Sequence, residues 1–141
     1  CLHAEGLANQ SNSDSLDDGL ELKSAFMTTV LKCVPPQDKP TAEELRNCAP
    51  FFGTEMKLMK NIKIILALGK IGFDGALKHF RQDYDLKMKD YSFGHDKQYV
   101  LPNGMILWGS YHPSPRNVNT GRMNFDMMTE LLRKIKRELK Q

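Results

Sequence analysis

Cysteine is scarce in this sequence of 141 residues, and Cys1, Cys33 and Cys48 are too few to frame a disulfide-stapled secreted scaffold. In a reducing compartment they are thiols or metal ligands, with unpaired core thiols as the plain alternative. Long apolar runs are also missing. The longest, residues 62–68, is broken by Lys63 and falls far short of the roughly 20 residues that cross a bilayer. No basic segment followed by an apolar one opens the chain, so nothing argues for secretion. The opening CLHAEGL lacks a Met and reads as the tail of a helix ending at Gly6. The expectation is a piece of a longer domain, and a processed mature terminus is the alternative. The sequence has neither a Gly-x-Gly-x-x-Gly nor a Gly-Lys-Ser/Thr phosphate loop. Internal repeats and low-complexity tracts are absent as well. A net charge of +3 permits an anionic partner without requiring one.

What is present is an ordinary apolar fraction, 40%, in a chain of one-domain size. Residues 8–20 are rich in Asn, Ser, Asp and Gly and predict a loop. Residues 24–32, SAFMTTVLK, are β-branched and apolar and predict a buried strand. The run CVPPQDKP then breaks regular structure. Thr41 with Glu44 forms a capping box, and Leu45, Cys48, Phe52, Met56 and Met59 follow at helical spacing. A strand is expected in IKIILALG, closing on Gly69, then a helix over 70–81 that carries Ile71, Phe73, Leu77 and Phe80. Residues 83–97 read as polar and irregular. Two short strands, 98–101 and 105–111, flank the turn Pro102-Asn103-Gly104. A last helix begins near Asn124, with Met128, Leu131, Leu132, Ile135 and Leu139 inward and Lys/Arg outward. This order predicts an α/β fold, a three-layer α/β/α sandwich with a mainly parallel central sheet.

Residues 112–122, HPSPRNVNTGR, carry the most chemistry. Directly after a strand they supply a His, two hydroxyls, two amides, two Arg and a Gly. Open parallel sheets collect ligands at the carboxyl ends of their strands, where this segment falls. Pro113 and Pro115 stiffen it. Ser114, Asn117 and Thr120 are short polar groups suited to phosphate oxygens, and Arg116 and Arg122 add charge and planar donor forks. His112 can donate a hydrogen bond to an oxygen on which negative charge develops. The bland alternative is a polar surface loop with a structural histidine. His79 and His95 show no evident partners, and Trp108 reads as core.

The segment SYHPSPRNVNTGRM resembles the second signature of the uracil-DNA glycosylase superfamily, specifically its iron–sulfur type B branch (family 5). DDGLELKSAFMTTVLKCVPPQDKPTAEELRNC, IKIILALGKIGFDGAL and FGHDKQYVLPNGMILWGSYHPS are similar to successive parts of the same enzymes. The resemblance runs in order along nearly the whole chain. It implies one glycosylase-like domain over 1–141 that lacks its N-terminal part, namely the first signature and two cluster cysteines. It implies a 4Fe-4S cluster with Cys33 and Cys48 as two of four ligands; Cys1 matches neither upstream ligand.

The resemblance further implies that His112 stabilises the departing base after flipping. It gives Ser114, Arg116 and Asn117 a grip on the DNA strand, with Thr120 and Arg122 supporting the loop or phosphates. The proline-rich loop departs from the family's usual PPxNKP: Asp38 stands where an Asn is common. An ionised carboxylate only accepts hydrogen bonds, whereas an amide also donates. Asp38 is therefore carried as a catalytic candidate that orients water or alters base reading, against an exposed loop carboxylate. Thr29 replaces the base-reading Asn of related type A enzymes, which favours type B. The implied function is base-excision repair of uracil, and of other deaminated bases, in DNA by a monofunctional glycosylase; this chain by itself is expected to be inactive. The expected partner is uracil-containing DNA, with a processivity clamp as a further candidate. The protein is expected to be a cytoplasmic, nucleoid-associated monomer of a prokaryote, away from membranes. A DNA- or lesion-binding module of the same fold without excision, and a cluster-bearing structural domain, are the alternatives.

Overall fold

The computed structural model describes residues 1–140, Asp38 by its backbone alone, so the side chain of that catalytic candidate lies outside the described residues. Two compact units are present: Thr28–His112, and Cys1–Met27 together with Pro113–Gln141.

The first unit opens with helix α1 (Ala42–Leu58), which starts where the capping box predicts. Thr41 Oγ1 accepts from the Glu44 N–H at 3.1 Å, and Glu44 Oε2 accepts from the Thr41 N–H at 2.7 Å. Phe52 is the buried member of its stripe, with Leu45, Cys48 and Met56 half-buried. Strand β1 (Ile64–Leu68) follows and runs through Gly69 into α2 (Lys70–Phe80). Phe73, Ala76, Leu77 and Phe80 are buried at three- and four-residue spacing along α2. This helix packs on β1, and α1 packs on α2.

Strands β2 (Lys97–Val100) and β3 (Ile106–Ser110) form a hairpin on Pro102, Asn103 and Gly104, with Gly104 at φ +84°. The sheet order is β1-β3-β2. β1 pairs parallel with β3, Ile64 opposite Ile106 through Leu68 opposite Ser110. β2 pairs antiparallel, Lys97 opposite Gly109 through Val100 opposite Ile106. The described elements therefore make a mixed α/β fold with a small sheet. In place of a mainly parallel sheet there is one pairing of each kind, because so short a turn can only return a strand antiparallel.

Two other expectations are corrected. Residues 24–32 form no strand: Phe26 is 64% exposed, Met27 is 63% exposed, and Ser24 takes a left-handed φ of +54°. β-branched composition cannot supply the neighbouring ladder that a strand needs. Thr28–Lys32 is instead tied to α1, with Thr28 Oγ1 donating to Glu55 Oε2 at 2.6 Å and Lys32 Nζ pairing with Glu55 Oε1 at 2.8 Å. Residues 83–97 are less irregular than their polarity suggests. Leu86 is buried in the core with Phe52, Phe73, Leu77 and Leu107, and Tyr84, Met88, Tyr91 and Phe93 pack against it.

In the second unit, the opening residues form a 3-10 turn, His3–Glu5, closed by Gly6 at φ +72°. Residues 8–20 are a loop, as expected. The Leu20 and Asp14 N–H groups donate to the Asp18 carboxylate and hold its pKa below the usual range. Helix α3 (Pro115–Asn119) precedes α4 (Phe125–Leu139), which starts at Asn124, whose side chain accepts from the Met127 N–H at 2.8 Å. Met128, Leu131, Leu132 and Ile135 form the buried stripe of α4. Glu5 is 7% exposed, and Arg133 Nε meets its carboxylate at 2.9 Å while Lys136 Nζ donates to its backbone carbonyl. A buried carboxylate needs such partners. No helix among the described residues is long and apolar enough to cross a membrane.

Candidate active site

Parallel pairing brings the carboxyl ends of β1 and β3 together, and Gly69, His95, Ser110 and His112 gather at that edge. The Gly69 N–H donates to the Ser110 carbonyl at 2.7 Å, extending the ladder one residue past β1. Gly69 has φ +86° and ψ 163°, a region essentially closed to other residues. Its face is turned to His112: a Cβ built there would lie 3.4 Å from His112 Cβ. The chain can thus leave β1 for α2 without a side chain crowding the histidine. His112 itself is exposed, two residues beyond the end of β3.

Behind it the edge is closely braced. Ser110 is fully buried, and its hydroxyl donates to the Tyr111 carbonyl at 3.0 Å. His95 approaches from the segment before β2. Its Nδ1 lies 3.3 Å from Ser110 Oγ and accepts from the Tyr111 N–H at 3.4 Å, while its ring stacks on Tyr111 at 5.3 Å and 24°. Nothing in the sequence signals this pairing, since the partners are 15 and 16 residues away. Trp108 is buried, as expected, with Nε1 donating to Asp96 Oδ1 at 3.1 Å. His79 belongs elsewhere. It sits edge-on to Phe52 at 5.4 Å and to Phe80 at 5.1 Å, and burial pushes its pKa below the ordinary value.

Beyond His112 the second unit holds the residues expected to grip DNA, with Arg116 and Asn117 on a short helix, Ser114 and Thr120 at its ends and Arg122 just past it. Ser114 is the N-cap of α3, its Oγ accepting from the Asn117 N–H at 3.4 Å, and Pro115 follows at a position that needs no N–H donor. Thr120 Oγ1 donates to the Arg116 carbonyl at 2.8 Å at the far end. The Asn117 carbonyl accepts from the Met123 N–H at 3.1 Å, which folds the following turn back. Ser114 and Thr120 thus shape the helix ends. Arg116 and Arg122 are exposed, and Asn117 is half-buried.

The two thiols expected as metal ligands are in the first unit. Cys48 is half-buried on α1, and Cys33 is exposed in the segment before it. The Lys32 N–H, one residue before Cys33, donates to Cys48 Sγ at 3.5 Å. A backbone N–H aimed at a cysteine sulfur is a usual companion of iron–sulfur ligation. The ion pair of Lys32 with Glu55 anchors the same segment, and with Thr28 it holds the Glu55 carboxyl below the usual range. Among the described residues no group of three or more His, Cys, Asp or Glu could hold a metal ion. Cys33 and Cys48 offer two thiols, the type of donor such a cluster takes.

The model of the uracil DNA glycosylase superfamily matches residues 1–136. The chain belongs to that superfamily. Within it, the chain is 38% identical over 136 residues to the type-5 uracil-DNA glycosylase of Thermus thermophilus, covering 96% of this chain and 60% of that protein. The type-5 uracil-DNA glycosylase of Pyrobaculum aerophilum is 36% identical over 129 residues, 92% of this chain and 54% of its own length. Similarity to the type-4 uracil-DNA glycosylase of Sulfurisphaera tokodaii is lower, 28% over 101 residues. The chain spans only about half to three fifths of the type-5 relatives it matches.

Proposed function

We propose that the protein carrying this chain hydrolyses the N-glycosidic bond of uracil in DNA, with His112 stabilising the departing base. The observation that carries this reading is the exposed His112 at the carboxyl edge of the β1–β3 pair, beside a glycine that leaves its flank open. Cleavage leaves negative charge on the uracil ring and positive charge on the sugar. A histidine donating to the uracil oxygen favours the anion, and water captures the sugar cation. The base must first leave the stack, because its glycosidic bond is unreachable within it.

Ser114, Arg116, Asn117, Thr120 and Arg122 are assigned to the DNA strand, Arg116 and Arg122 through charge and the others through short polar groups. Asp38 is assigned to the water or to base reading. Cys33 and Cys48 would supply two of the four thiolates of a 4Fe-4S cluster, which when bound would pin the proline-rich segment to α1. The chain is read as one part of a glycosylase domain. The first signature and two further cluster ligands would come from outside its residues, and the sheet would be completed into an α/β/α sandwich. The working form is a monomer on DNA in a prokaryotic cytoplasm, with a processivity clamp as a candidate partner.

The test is base release from a uracil-containing duplex by the full-length protein, read as strand breaks after alkali. His112→Ala is expected to slow release about 10²–10³-fold, the usual loss when one donor to a developing anion is removed. Release at the wild-type rate by His112→Ala would sink the assignment. Tight binding of uracil-DNA by the wild type without release would point instead to a binding module.

A further inference from the structure

We infer that His95 is a positioning residue for His112, holding the Tyr111 peptide through its unprotonated Nδ1. The inference rests on the catalytic reading of His112. β3 ends at Ser110, and the N–H of the peptide joining it to Tyr111 lies past the last residue paired with β2. A backbone N–H at such an edge needs a partner, and here it is a side chain: Tyr111 N–H to His95 Nδ1 at 3.4 Å. A backbone N–H can only donate, so this bond uses the lone pair on Nδ1, which the Ser110 hydroxyl 3.3 Å away also meets when its proton turns from the Tyr111 carbonyl to the ring. The ring also stacks on Tyr111, fixing the residue next to His112 by its side chain as well as its backbone.

The segment that delivers His95 is itself built for close approach. The Gly94 carbonyl passes so near β3 that a Cβ on Gly109 would lie 2.5 Å from it, closer than any side chain tolerates. The Asp96 N–H donates to the Gly109 carbonyl at 2.9 Å, and the Asp96 carboxylate takes the Trp108 indole proton at 3.1 Å. Asp96 holds a left-handed φ of +59° in doing so. Three constraints and a strained residue thus converge on a turn whose central histidine meets the peptide before His112. Strain maintained beside a site is a pointer to function.

Three variants of the full-length protein separate positioning from packing. His95→Phe keeps a ring against Tyr111 and removes the acceptor. His95→Asn keeps an acceptor near the Nδ1 position and removes the ring. His95→Gln carries an acceptor displaced toward Nε2. Single-turnover release at saturating uracil-DNA is expected to fall tenfold or more in His95→Phe, with DNA affinity unchanged, and to recover to within about threefold of wild type in His95→Asn. Wild-type release by His95→Phe would overturn the inference, as would equal rates for the Asn and Phe variants. If the Phe variant does not fold, the Gln variant replaces it in the same comparison, and equal rates for Asn and Gln overturn it. Wild-type release by His112→Ala would remove the catalytic reading and this inference together. A dead His112→Ala beside a fully active His95→Phe would remove this inference alone.

Discussion

At the scale of single residues, the candidate site depends on what is missing as much as on what is present. Gly69 has no Cβ at a φ of +86°, and a Cβ there would come into contact with His112. Gly69→Ala forces an L-residue into a region that costs about 1–3 kcal/mol. The expected outcome is a lowered melting temperature together with slowed uracil release, measured by thermal unfolding and single-turnover assay on the same preparation. A stable, fully active Gly69→Ala would show that the flank of His112 tolerates crowding. His112 was legible in the sequence because it follows a strand directly and heads a run of polar and basic residues. His95 was not. Its partners are distant in the chain, and its neighbours Phe93 and Gly94 look like loop composition until the approach of Gly94 to Gly109 is seen.

Among the elements, those with local signals came through and those defined by a partner did not. The Thr41–Glu44 box, the three-four spacing of α2, the Pro-Asn-Gly turn and the Asn124 cap all act within a few residues, and each element stands where expected. Residues 24–32 have strand composition but no ladder to join. α3 was hidden in a segment read as a loop, although Ser114 followed by Pro115 is a helix-start signal. The junction of α1 and α2 has a pH signature. His79 lies against Phe52 and Phe80, and burial, aided by Lys57 and opposed by Asp83, lowers its pKa. The folded state therefore resists the proton more than the unfolded chain does. Stability is intact above the ordinary histidine value of about 6.5 and falls as pH drops from there through the lowered one. His79→Phe is expected to flatten that acid-side decline. Denaturant unfolding followed across mildly acidic pH checks it, and an unchanged slope would exclude His79 as the cause.

For the molecule as a whole, the cysteine pair makes a claim that composition by itself could not. If Cys33 and Cys48 are ligands of a 4Fe-4S cluster, as proposed, a full cluster requires two more. The full-length protein is expected to contain about four irons per chain if each cysteine holds one position. Cys33→Ser and Cys48→Ser should each lower the iron content and the visible absorbance of the purified protein. Full iron in both variants would make these residues ordinary thiols.

The sheet order also carries a kinetic consequence. Partners in the β2–β3 hairpin are close in sequence, Val100 with Ile106 and Lys97 with Gly109, whereas β1 must find β3 across the whole of α2 and the segment after it. Closing that longer loop costs roughly 1–2 kcal/mol more at the theoretical growth of about 0.6 kcal/mol per doubling of length. Non-local parallel pairing is accordingly the slower event. In refolding followed by amide protection, β3 amides bonded to β2 are expected to be shielded before Gly69 and its neighbours. The edge that carries His112 would then be completed last, so catalytic competence would lag behind secondary structure as the chain folds.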